Sequence, residues 1–511
     1  MISATRPFNA FGDPTPGHQH RAPWPLALVL LSLLLTGCAS LRIDESQRPA
    51  SYAPENTQDT PLAEILAPQQ SAHPGLSGFL LLLDGGNALD ARIQLCRVAE
   101  RSIDLQYYLW NRDRAGRELA AELVRAADRG VRVRILLDDI FEAGRDIEVA
   151  RFSSHPNIEV RYFNPKKTRK RFAPLRQLTE LAFRFGQINR RMHNKIFAVD
   201  NQMAILGGRN IGDEYFDQDE DFNFFDSEVV AVGPIVPEVS ASFDAYWNSS
   251  SAYPVAALAG SRAVTSYEDL LSQGYFAAVT EDDPREILSE SLPLFHWAPA
   301  RLVVDDPGKV DNPKRYQSNV LPALRDLIRD TSDSVILQSA YFIPGKAGVE
   351  GLGQLVESGT KVTISTNSLA SNNHAIAHSG YGKYRKPLLR NGLELYELKP
   401  SQPKRPGTWG IHSKVAVFDR RTAFVGTFNL DPRSAALNTE MALIIESPAL
   451  AGQLADAIEE QLAAERSWRL TLDERDRLSW NSEHRGSEPE AGVGRRLSSF
   501  FLSLLPIENQ L

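Results

Sequence analysis

Apolar and polar positions alternate with two different periods along the chain, and the same succession of periods occurs twice. Ile103-Asp104-Leu105-Gln106-Tyr107-Tyr108-Leu109-Trp110 predicts a strand; Leu119, Leu123 and Ala126 then recur at helical spacing up to Gly130, and Val131 to Leu137 predicts a second strand. A third follows in Asn157-Ile158-Glu159-Val160-Arg161-Tyr162-Phe163-Asn164-Pro165. Further along, Val335-Ile336-Leu337-Gln338-Ser339-Ala340-Tyr341-Phe342, then Gly359 with Lys361 to Thr366, then Gly392-Leu393-Glu394-Leu395-Tyr396-Glu397-Leu398-Lys399-Pro400 repeat the order. Two matching stretches of roughly 160 residues are the signature of an internal duplication. Strand, helix and strand in repetition predict two α/β lobes, 76–250 and 311–470, joined by a Pro- and acid-containing connector over 251–310.

The length of 511 residues agrees with two or three domains. A hydrophobic fraction of 42% and a charged fraction of 23% exclude bulk disorder. Lysine and arginine number 56 against 64 acids, a net charge of −8, which argues against coating nucleic acid by global charge. Only 13 of those bases are lysine, so a lysine inside a motif is informative. Two cysteines, Cys38 and Cys96, exclude a cysteine-built zinc site or a disulfide scaffold.

The N-terminus reads as an export signal. Arg6 and Arg21 precede an apolar run from Trp24 to Thr36, shorter than the about 20 residues a membrane-spanning helix needs. Leu35-Thr36-Gly37-Cys38 closes the run and resembles the bacterial lipobox, which implies a signal peptide over 1–37 and lipid on Cys38. By the same resemblance the protein is lipid-anchored in the bacterial envelope facing the periplasm, and Ala39 in place of Asp favours the outer membrane. Five prolines and many polar residues up to Gly75 predict that 38–75 is a lipidated tether. Cys96, among Ile93, Leu95 and Val98, reads as a buried inert thiol.

Near the end of each copy stands the same chemistry. His193-Asn194-Lys195 with Asp200, then Gly207-Gly208-Arg209-Asn210, matches His412-Ser413-Lys414 with Asp419, then Gly426-Thr427-Phe428-Asn429. Composition alone produces two HxK(x4)D hits about one time in ten thousand. On a strand, residues i and i+2 share a face, so each His and its Lys point the same way. If the lobes pack about a pseudo-two-fold axis, two imidazoles and two ammoniums surround one phosphorus. That set can run a two-step displacement without metal or cofactor: a neutral imidazole attacks, and a protonated one delivers a proton to the leaving alkoxide. Lys195 and Lys414 then hold nonbridging oxygens, Asn210 and Asn429 donate amide hydrogen bonds, and the glycines admit close backbone approach. Asp200 and Asp419 complete the catalytic candidates, holding the loop being their alternative role. Glu228 and Glu440 occupy like places in the two copies, where a carboxylate can fix the tautomer of each His.

Paired HxK(x4)D motifs with trailing GGxN or GTxN elements resemble the phospholipase D superfamily. The resemblance covers about 80–470 and implies a duplicated α/β sandwich and a phosphohistidine intermediate; family habit favours His193 as nucleophile, while the residues themselves do not distinguish it from His412. Asp104 to Tyr108, Arg190 to Lys195, Gly207 to Asp213, and Phe428 to Ser434 with Asn438-Thr439-Glu440 are most similar to the bacterial cardiolipin synthase branch, C type. That implies phosphatidyl transfer to phosphatidylglycerol from phosphatidylethanolamine or phosphatidylglycerol, at a site formed within one chain. Hydrolysis by the same pocket, releasing phosphatidic acid, differs only in whether lipid or water reaches the intermediate, and no motif decides it. A nuclease is disfavoured by the acidic net charge and the lipid anchor, so no nucleic-acid partner is expected.

Two further stretches bear on a membrane. Between Arg161 and Lys195 eleven bases, among them Lys166, Lys167, Arg169, Lys170 and Arg171, face one acid, Glu180, and suit an anionic lipid surface. In the 471–511 tail, Leu497, Phe500, Phe501, Leu504 and Leu505 line one helical face behind Arg495 and Arg496, for either interfacial insertion or packing on the body. His374 and His378 stand four apart, but with no third ligand nearby a metal site is not expected there; contact with substrate is the functional reading of His378.

Overall fold

Ser102–Tyr107, Arg132–Asp138 and Ile158–Phe163 pair in parallel, and so do their counterparts Ser334–Ser339, Lys361–Asn367 and Glu394–Leu398. Parallel neighbours require crossovers, which the helices Arg114–Asp128 and Gly345–Glu357 supply between the first two strands of each set. Gly130 and Gly359, at φ +99° and +100°, end the two helices in the same left-handed turn. The computed structural model describes residues 48–140, 149, 151–166, 189–259, 283–481, 484–505 and 508–510. Cys38 with its signal segment, and Lys167, Arg169, Lys170, Arg171 and Glu180 of the basic stretch, lie outside the described residues.

The first lobe is built on a nine-stranded mixed sheet, in the order His296–Ala298, Ser77–Leu82, Glu228–Val232, Met203–Gly207, Ile196–Val199, Ser102–Tyr107, Arg132–Asp138, Ile158–Phe163 and Ala252–Pro254. The second has ten: Ala300–Val304, Met441–Glu446, Thr422–Gly426, Lys414–Phe418, Ser334–Ser339, Lys361–Asn367, Glu394–Leu398, Ser467–Leu472, Leu478–Trp480 and His484–Arg485. Alternation along the central strands splits their side chains between two cores. Phe197 and Val199 pack under the helices of the first lobe, and Ala416 and Phe418 under those of the second. Ile196 and Ala198 share a third core with Val415 and Val417, together with Leu206, Val229, Val425 and Leu443. Helices Ile235–Trp247 and Pro448–Gln461 complete this central layer, which joins the lobes into one body.

Three segments differ from the sequence expectation. Residues 48–75 are not a free tether. Thr60 caps the helix Pro61–Ala72, whose Leu62 and Leu66 enter the first lobe's core, while Arg134 and Arg161 donate to the carbonyls of Ser51 and Pro49 at 2.7 Å each. An apolar stripe on one helical turn outweighs the prolines, one of which merely starts the helix. The end of the connector is also folded: His296–Ala298 lies on the first sheet and Ala300–Val304 on the second, so the chain changes lobes at Pro299. The tail begins later than 471, because Leu478–Trp480 and His484–Arg485 extend the second sheet.

Candidate active site

Two short parallel pairings between the lobes build the site. Phe222–Phe225 of the first lobe pairs with Thr408–Ile411 of the second, Ile411 opposite Phe225. The next residue on each strand is therefore Asp226 beside His412, and Asp226 Oδ2 lies 2.6 Å from His412 Nδ1. The mirror arrangement uses a single bridge between Met192 and Thr439, with His193 N–H donating to Thr439 O at 2.9 Å. The next pair is His193 and Glu440, with Nδ1 to Oε2 at 2.8 Å. Each histidine is thus oriented by a carboxylate from the opposite lobe.

Both carboxyls are buried, yet contact with their histidines and the motif lysines holds them below the usual range. An ionised carboxylate accepts, so Nδ1 carries the proton and Nε2 keeps its lone pair on the cavity side. Burial lowers both imidazoles, His193 to about 4 and His412 to about 3, against the raising effect of Glu440 and Asp226. Both are therefore neutral at pH 7. Burial, reinforced by the charge of Lys414, brings Lys195 down to about 7, and burial brings Lys414 down to about 8. Lys195 Nζ donates to the carbonyl of His193 at 2.7 Å, and Lys414 Nζ donates to that of His412.

His193, His412, Asn210, Asn429 and Asn438 line one cavity of about 740 Å³ together with Tyr108, Tyr215 and Tyr341. Tyr108 meets the His193 ring edge-on at 5.1 Å between centroids, and Tyr215 meets His412 at 5.0 Å. Phe222, Phe224 and Ile376 add apolar wall, and the remaining charged lining is Glu214, Asp219, Asp431 and Arg433. Burial raises Glu214 to about 7 and Asp431 to about 6. The amide oxygens of Asn210 and Asn429 are buried without a hydrogen-bond partner, at equivalent positions of the two lobes.

The structure thus gathers His193, His412, Asn210 and Asn429 at one cavity, with Lys195 and Lys414 directly behind the histidines and Glu440 on one of them. Three candidates lie elsewhere. Asp200 accepts the N–H groups of Glu100, Arg101 and Ser102, and Asp419 those of Ser332, Asp333 and Ser334. Both stand at the far ends of their strands and tie the turn before the first parallel strand; neither reaches the cavity. Glu228 pairs with Arg92 at 2.6 Å and Arg209 at 3.4 Å, not with a histidine. Sheet register explains this: Glu228 lies opposite Gly207 where Ala442 lies opposite Gly426, so the equivalent of Glu440 is Asp226, two residues earlier.

Asp226 is the residue that sequence reasoning missed. A Cβ on Gly208 would fall 2.1 Å from its Oδ1, so the glycine makes room for a carboxylate rather than for substrate. At the matching place Thr427 donates to Glu440 Oε2 at 2.6 Å. Likewise His193-Asn194-Lys195 precedes strand Ile196–Val199 instead of lying within it. His378 is buried away from the cavity, where Arg385 donates to its Nε2 at 2.7 Å, whereas His374 lines the cavity. Arg161, Arg191 and Lys195, three of the eleven bases read as a surface patch, are buried. Cys96 is buried and its thiol is pushed up by that burial.

Two duplicated lobes, each offering a histidine to a shared cavity with its lysine held on that histidine's carbonyl, define an enzyme of the phospholipase D superfamily. The chain belongs to the family described as cardiolipin synthase, PLD-like domain, which matches residues 93–247 and 324–462. It is similar to cardiolipin synthase C of Escherichia coli (strain K12), 39% identical over 475 residues, covering 88% of this chain and 99% of that protein. It is also similar to a cardiolipin synthase of Staphylococcus aureus (strain Mu50 / ATCC 700699), 27% identical over 382 residues, 74% of this chain and 66% of the relative. Among solved structures, the phosphatidylserine synthase of Haemophilus influenzae Rd KW20 shares the fold with a TM-score of 0.57 at 15% identity, over 88% of this chain and 100% of that one.

Proposed function

We propose that the protein is a phosphatidyltransferase making cardiolipin from phosphatidylglycerol and a phospholipid donor, phosphatidylethanolamine or a second phosphatidylglycerol, through a phosphohistidine intermediate. The observation that carries this reading is the pair of imidazoles on one cavity, each held at Nδ1 by a carboxylate from the other lobe. Both Nε2 atoms then face the space a phosphodiester enters.

In the first step Nε2 of one histidine attacks phosphorus and the P–O bond to the donor's headgroup alcohol breaks. The other histidine, protonated once the anionic phosphodiester raises its basicity, gives its proton to that oxygen. In the second, the now neutral histidine takes the proton from the hydroxyl of phosphatidylglycerol, whose oxygen attacks phosphorus and breaks the P–N bond. Lys195 and Lys414, whose basicity the same anion raises so that they take protons from solvent, hold the nonbridging oxygens, and Asn210 and Asn429 turn their amides to it. One chain carries all of these groups, and no step draws on a cofactor.

The lining favours transfer over hydrolysis, because Tyr108, Tyr215, Phe222, Phe224, Tyr341 and Ile376 surround the reacting atoms with surface that suits lipid better than water. No helix among the described residues is long and apolar enough to cross a membrane. The anchor we assign is lipid on Cys38, which places the domain on the periplasmic face of the envelope, in the outer membrane.

Mass spectrometry of vesicles containing phosphatidylglycerol and phosphatidylethanolamine, after exposure to the purified protein without added metal, tests the reaction. Cardiolipin with free ethanolamine or glycerol is the expected product and names the donor. Phosphatidic acid without cardiolipin would make the protein a hydrolase.

A further inference from the structure

Apolar side chains exposed to water are costly, and here they are concentrated in one place. Among the described residues, six of the ten large exposed hydrophobics belong to the C-terminal helix Val493–Ser503 and the turn after it: Val493, Leu497, Phe500, Phe501, Leu504 and Leu505. Phe501 is 62% exposed, and no residue of the helix is buried. A helix serving only to pack on the body would turn these residues inward.

The helix is nevertheless fixed in position. It lies against the helix Ala375–Tyr381. Arg496 donates to the carbonyl of Glu488 at 2.7 Å, and the Glu488 carboxylate is in turn held by Arg385. Ile376 and Ala377, on the supporting helix, line the active-site cavity, and Ile376 is itself exposed. The C-terminal helix with its exposed apolar residues is therefore carried by the helix that walls the catalytic cavity.

We infer that this helix is the surface by which the protein docks on a phospholipid bilayer, lying in the interface and holding the cavity mouth against the lipid from which substrate is drawn. The inference rests on the reading of the cavity as a phospholipid site. Its occupant is a bilayer because the helix is packed on the wall of a cavity that must receive two-chain lipids without lifting their tails into water. Eleven residues span about 16 Å, half a hydrocarbon core, so the helix lies on the membrane and does not cross it. Arg495, partly exposed near its N-terminal end, favours anionic headgroups.

The test compares the full chain with its Phe500→Ser/Phe501→Ser variant on phosphatidylglycerol-containing vesicles and on short-chain phosphatidylglycerol kept below its micelle concentration. In parallel, the full chain carrying Cys38→Ser and Phe501→Cys is labelled at position 501 with a fluorophore and mixed with vesicles holding bromine on the acyl chains. The expected result is at least a tenfold loss of transfer on vesicles with turnover of monomeric lipid retained, and quenching of the label by the brominated chains. Equal activity of variant and parent on vesicles, or a label the bromines do not quench, would overturn the docking surface. A label quenched as expected in a chain that transfers neither substrate would support the docking surface while removing the proposed reaction, so the two readings fail separately.

Discussion

Asp226 Oδ2 lies 2.6 Å from His412 Nδ1, although the two residues belong to different lobes. The contact follows from the parallel register of Phe225 with Ile411, so the ladder that joins the lobes also orients the imidazole. Losing that acceptor leaves His412 free to adopt the wrong tautomer. Asp226→Asn and Glu440→Gln are each expected to lower kcat/KM by roughly 10²- to 10⁴-fold, measured as transfer from vesicles. Glu228→Gln is expected to act otherwise, costing about 3 kcal/mol of stability by breaking its buried pairing with Arg92 and Arg209. Turnover of its folded fraction should be retained; a Glu228 variant as inactive as the Asp226 variant would contradict this division.

Gly208 touches the same carboxylate. Gly208→Ala places a methyl group where Asp226 Oδ1 now stands, and a short side chain has little room to withdraw. Activity should fall at least tenfold, as in the Asp226→Asn variant. Gly426→Ala should instead destabilise the fold, since its Cβ would meet the backbone of Met441 at 2.4 Å. Thermal melts beside transfer rates separate the two effects.

Asp200 and Asp419 each collect three backbone N–H groups far from the cavity. Asp200→Ala is expected to lose about 2–3 kcal/mol of stability because those donors are left without an acceptor. Asp419→Ala should lose less, water reaching its more open turn. In both variants kcat per folded molecule should stay within about twofold of the parent, against the several orders of magnitude expected of His193→Ala or His412→Ala.

Four cations or potential cations meet at the site, and burial has lowered all of them: His193 to about 4, His412 to about 3, Lys195 to about 7 and Lys414 to about 8. A bound anion raises each value, so at pH 8 the complex holds more protons than the free protein and binding takes up protons from buffer. Calorimetry of tungstate binding in buffers of different ionisation enthalpy should show net uptake, diminished in Lys195→Met. The sign also governs the empty protein. The unfolded chain binds more protons than the folded one between about pH 7 and 10.5 at Lys195, so that lysine's contribution to stability improves as pH rises through this window. Proton release on tungstate binding would contradict the assignment.

The duplicated strands and the His-Lys pairs are legible in the sequence because strand periodicity is local and because lysine is scarce. Asp226 was hidden for a different reason. Aligning Asp226-Ser227-Glu228 with Asn438-Thr439-Glu440 by residue type matches the two glutamates, whereas the pairing of Gly207 with Glu228 and of Gly426 with Ala442 offsets the copies by two. Register is a property of the sheet, and a shorter carboxylate beside Gly208 replaces a longer one beside Thr427. The loop-holding role of the motif aspartates was open to view from their place beside a turn, but their partners, three consecutive amides, leave no side-chain signature. Helix Pro61–Ala72 was concealed by the prolines around it, although Leu62 and Leu66 already formed its stripe.

In the proposed reaction one of the two imidazoles on the shared cavity carries the phosphatidyl group. Donor phospholipid mixed with the protein, denatured within milliseconds in alkali where P–N bonds persist, and digested for peptide mass spectrometry tests it most directly. The expected result is a phosphatidyl adduct on the peptide bearing His193, discharged when phosphatidylglycerol is added and absent in His193→Ala. Continuing turnover with no adduct on His193 or His412, or an adduct on any other residue, would contradict it.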